Sequence, residues 1–142
     1  MIKIEVERVT IKPCPKIILG ADCYDKIGNI VIDGIQSNIM DQQQSDGYPI
    51  KKNAQSTVRR KEILGQSPIR SLVDRLHRFV KSNSFMATIT TSSATIEPRS
   101  SELKEISIEV QKKGYTGWFG IRPKWRAMIS ETIKRTIQDL FK

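Results

Sequence analysis

The sequence predicts an α+β fold: a small antiparallel sheet packed against an N-terminal and a C-terminal amphipathic helix, with a long extended central arm. Three observations carry this prediction. Apolar and polar side chains alternate with period two at the N-terminus, and a Thr-, Ile- and Phe-rich run broken by Ser92-Ser93 reads as a second pair of strands. Apolar residues recur at three- and four-residue steps after Asp22 and again after Pro123. Residues 44–68 follow neither period. Strands joined by short turns make antiparallel sheets, because a parallel pair needs a long crossover. A chain of 142 residues fits a single domain spanning 1–142.

Taken in order, Ile2 to Val6 is the first strand, with Val9 to Lys12 as its extension. Pro13 and Pro15 then remove backbone donors and interrupt the ladder. From Asp22, a plausible N-cap, to about Gln43, the residues Ile27, Ile30, Val31, Ile35, Ile39 and Met40 share one helical face. Gly28 and Gly34 lower helix propensity within it and suit close packing against a sheet. A short helix over Leu72 to Val80 follows the arm, then the hairpin Phe85–Thr91 and Ala94–Ile96, ended by Pro98. Glu102 to Lys113 forms a further helix, preceded by serines and closed by Gly114. Pro123 suits the first turn of the last helix, whose stripe is Trp125, Met128, Ile129, Ile133, Ile137, Leu140 and Phe141. That helix is expected to pack on the sheet.

The formal net charge is +9, and its distribution decides more than its sum. Residues 51–81 hold Lys51, Lys52, Arg59, Arg60, Lys61, Arg70, Arg75, Arg78 and Lys81 against Glu62 and Asp74, a net +7. Such a stretch favours polyanions or acidic protein surfaces, without reading sequence. Asp46-Gly47, Pro49, Gly65 and Pro68 punctuate the arm, and a gap this long inside one domain is a mobile loop or a functional element.

Chemistry leaves few traces. Cys14 and Cys23 stand without a second pair, so no standard zinc spacing exists, and nothing about the chain favours a disulfide between them. His77, the sole histidine, sits three residues after Asp74, and the preferred reading is a solvated imidazole beside a carboxylate. No phosphate-binding loop and no dinucleotide fingerprint is present. The expectation is a non-catalytic chain with no cofactor and no metal. No signal peptide and no membrane span is apparent, so the chain reads as made in the cytoplasm. Gly114, Gly117 and Gly120 frame Tyr115, Trp118 and Phe119, either as a partner-covered loop or, the favoured alternative, as a short core strand seating the last helix.

Ser45-Asp46-Gly47-Tyr48-Pro49, Asn53, Ser56-Thr57 and Arg60-Lys61 resemble the "P-D-G-x-P, polar spacer, S/T-x-x-x-K" passage of phage virion morphogenesis and tail-completion (neck) proteins. Leu72-Val73-Asp74-Arg75-Leu76 looks like that group's "L-x-[DE]-T-G-x-L" segment without its Thr-Gly. Trp118-Phe119-Gly120-Ile121-Arg122-Pro123 looks like its "F-x-G-I-S" entry to a final helix. The similarity spans about residues 25–142, and the motifs keep their order. The resemblance implies a virion subunit in the tail neck that forms a ring, commonly six-fold, of its own copies between the head connector and the tail-tube or tail-terminator proteins. On this reading the interface draws on Asp46, Gly47, Pro49, Asn53, Thr57, Arg60 and Lys61, with Trp118 and Phe119 if the glycine-framed loop is covered by a partner. Lys51, Lys52, Arg59, Arg70, Arg75 and Arg78 then face DNA in the channel or acidic patches on adjoining rings. A basic nucleic-acid-binding regulator is the alternative reading.

Overall fold

Glycine 20 starts the first helix because the backbone there takes φ 94°, a conformation that side chains with a Cβ rarely adopt. The structure, a computed structural model, describes residues 2–5, 8–12, 18–41, 46, 59, 78–113 and 117–140. Its elements are β1 (Ile2–Ile4), β2 (Val9–Ile11), α1 (Ala21–Met40), β3 (Phe85–Ile89), β4 (Ala94–Pro98), α2 (Ser101–Lys112) and α3 (Pro123–Leu140). The class is α+β, as the periodicities required. The strands form one antiparallel sheet in the order β1-β2-β4-β3.

Two N-terminal expectations are corrected. Val9–Ile11 does not extend the first strand; the chain reverses, with the Glu5 N–H donating to Arg8 O at 2.8 Å, and β2 pairs antiparallel with β1. The helix cap is Gly20, whose own N–H donates to Thr91 O at 3.1 Å and ties the helix start to the β3–β4 turn. Asp22 instead lies in the first turn, where the partial positive charge of the helix end favours a carboxylate.

Register divides the sheet into two faces. Ile4, Val9, Ile96 and Ala87 form one cross-strand row, and Ile2, Ile11, Ala94 and Ile89 the next, so one face is apolar. Lys3, Thr10, Thr95 and Thr88 form a polar row on the other. Helix α1 lies on the apolar face. A Cβ at Gly28 would meet the Cδ1 atoms of Ile89 and Ile96 at 3.4 Å, an ordinary contact distance, so this position faces the sheet without requiring a glycine. Val9, Ile11, Tyr24, Ile27, Val31, Ile35, Ile39 and Ile96 are fully shielded from solvent at the centre of the core.

The β3–β4 turn is held by Thr90, whose Oγ1 accepts from the Ser93 N–H at 2.9 Å while its own N–H donates to Ser93 O at 3.0 Å. Ser100 caps α2 by accepting from the Leu103 N–H at 3.1 Å. Leu103, Ile106 and Val110 are its buried side. The described end of α2 is Lys113, in right-handed helical conformation, and Gly114 lies outside the described residues.

Helix α3 packs chiefly on α1 rather than on the sheet. The reason is precedence: α1 already covers the apolar sheet face, leaving α3 only the flank of α1 on which to bury its stripe. Contact is close at Gly34, where a Cβ would stand 3.1 Å from Trp125 Cγ. Thus Gly28 faces the sheet and Gly34 faces α3, and only at Gly34 would a Cβ crowd its neighbour.

Candidate assembly site

Asp41 ends the described run that holds α1 and Arg78 begins the run that holds the hairpin, and both neighbourhoods are fastened to α1. At the exit, Asp41 continues the α1 backbone pattern by donating to Ser37 O at 2.9 Å, and its carboxylate receives Arg122 Nη2 at 2.7 Å. At the return, Gln36 on the last turns of α1 donates from Nε2 to Phe79 O at 3.1 Å and to Lys81 O at 3.2 Å. One side chain therefore binds residues 79–81 to the end of α1.

The return segment is a tight knot of backbone carbonyls collected by side chains. Ser84 Oγ lies 2.7 Å from Arg78 O and 2.5 Å from Lys81 O, and its one proton serves them in turn. Arg99 donates from Nε to Asn83 O at 2.9 Å and from Nη2 to Phe85 O at 3.0 Å. Asn83 takes a positive φ of 64°, which an Asn tolerates better than most residues with a Cβ. Beneath the knot, Phe79 stands 4.9 Å from Trp118 and 5.7 Å from Phe85, ring centre to ring centre.

Asn38 joins this base to α3. Its Nδ2 donates to Trp118 O and to Gly120 O, both at 2.9 Å, inside the fold. The segment before α3 is thereby pinned to α1 from within. Neither Asn38 nor Gln36 belongs to an obvious motif; the available signal is Asn38 one turn after Gly34 within the apolar stripe, where a polar side chain needs a buried partner.

The expected site residues distribute unevenly. Asp46 and Arg59 are described and exposed. Gly47, Pro49, Lys51, Lys52, Asn53, Thr57, Arg60, Lys61, Arg70 and Arg75 lie outside the described residues, as do Asp74 and His77. Arg78 is exposed and already engaged, its Nη1 2.6 Å from Glu102 Oε1. That hydrogen bond, and after it the opposite charge, raise the Arg78 pKa and lower that of Glu102. Trp118 and Phe119 are 0% and 4% exposed, so the segment that carries them is core and presents neither ring to a partner. Residues 117–120 bend rather than forming the expected strand.

Cys23 is buried with a free thiol, and Cys14 lies outside the described residues. Among the described residues, no three His, Cys, Asp or Glu side chains gather as a metal site. No helix among them is long and apolar enough to cross a membrane. No family model matches the chain, and no curated protein or solved structure does either.

Proposed function

We propose that this chain is a non-catalytic structural subunit of a phage head-tail joint, a neck or tail-completion protein that assembles with its own copies into a ring between connector and tail. The observation that carries the reading is the fastened base of the arm. Gln36 holds Phe79 and Lys81, and Arg122 holds Asp41, so the described residues that precede and follow 42–77 in sequence are both anchored near the end of α1. The order of the three resembling motifs in the sequence supports the same reading. A closed ring gives every subunit two different contact surfaces.

Electron microscopy of the purified full chain tests this directly, with rings as the expected image. Limited proteolysis adds a second readout: cleavage within 44–68 is expected in the free protein and protection in assembled particles. Equal cleavage rates in both states would sink the arm's assembly role.

The +7 charge of residues 51–81 favours one competing reading, a nucleic-acid-binding regulator. That reading requires tight DNA binding by the isolated chain, falling steeply as salt rises. A mobility-shift assay at moderate salt with no shift disposes of it.

A further inference from the structure

We draw no further inference here: the strongest candidate, the open groove between α1 and α3 beside Met128, is a partly exposed apolar surface, and nothing in the structure shows what covers it.

Discussion

Helices α1 and α3 look alike in sequence, 20 and 18 residues with an apolar stripe each, yet they meet opposite fates. Helix α1 buries Cys23, Tyr24, Ile27, Gly28, Val31, Gly34, Ile35, Asn38 and Ile39; α3 buries Ile129. The difference is one of position in the stack. The first helix lies between the sheet and α3 and is covered from two sides, whereas the last, among the described elements, packs chiefly on α1. An apolar stripe states how much surface a helix needs covered, and the fold decides how much of that need is met.

The strongest way to break the comparison is to cut the tie between the two helices. Asn38→Asp removes both donor bonds to Trp118 O and Gly120 O and sets a carboxylate against those carbonyls at 0% exposure. A loss of more than about 4 kcal/mol in denaturant unfolding is expected, from two unpaired acceptors and a desolvated charge. A loss under about 1 kcal/mol means that water reaches the site and that α3 is not pinned from within.

Parallel truncations measure the asymmetry itself. Ile35→Ala empties a fully buried position on α1 and is expected to cost about 2–5 kcal/mol. Ile137→Ala on α3, half-buried, is expected to cost under about 1 kcal/mol in the monomer, in proportion to the smaller area removed from water. Equal losses would show that α3 is as deeply built into the monomer as α1.

The two glycines of α1 sharpen the same point. Gly28→Ala fits at ordinary contact distance from the sheet side chains and gains helix propensity, so stabilisation of about 0.5–1 kcal/mol is expected. Gly34→Ala drives a methyl to 3.1 Å from the Trp125 ring, which must shift and carry α3 with it. Overpacking of about 1–3 kcal/mol then outweighs the propensity gain. Tryptophan fluorescence reports which helix moved.

How much of this was legible beforehand follows from range. The β3–β4 hairpin, α2 with its serine cap and α3 from Pro123 are local: side-chain period, a hydroxyl at the right place and a ring with fixed φ decide them within a few residues. The reversal at Glu5–Arg8 was hidden because no Gly, Asn or Pro marks it, so two short strands read as one. That Gly34 faces Trp125 was equally hidden, since both glycines of α1 carry the same local signal and only the stacking order tells sheet from helix. The aromatic pair Trp118 and Phe119 left a partner-covered loop open beside the favoured core reading; burial beside Phe79 and Phe85 puts both in the core, across a separation no short motif spans. Gln36 was invisible as an anchor for the same reason, because its partners lie 43 and 45 residues away.

The smallest effect belongs to the exposed ion pair at the base of the arm, and it serves as the floor for the others. Glu102 sits in the first turn of α2 and accepts from Arg78, the first described residue after the arm's return. Its pKa is lowered by that hydrogen bond first and by the Arg78 charge second. A lowered carboxylate pKa stabilises the fold above the unfolded value, and the contribution disappears as pH falls through the folded value. Arg78, whose pKa is raised, stays charged throughout that window, so the carboxylate alone sets the pH dependence. Glu102→Gln is therefore expected to lower the melting temperature slightly at neutral pH and to converge with the wild type below the ordinary carboxylate range. A difference that persists unchanged into acid would mean that the side chain acts there through its shape and neutral hydrogen bonding, and that charge contributes nothing to holding the arm's return in place.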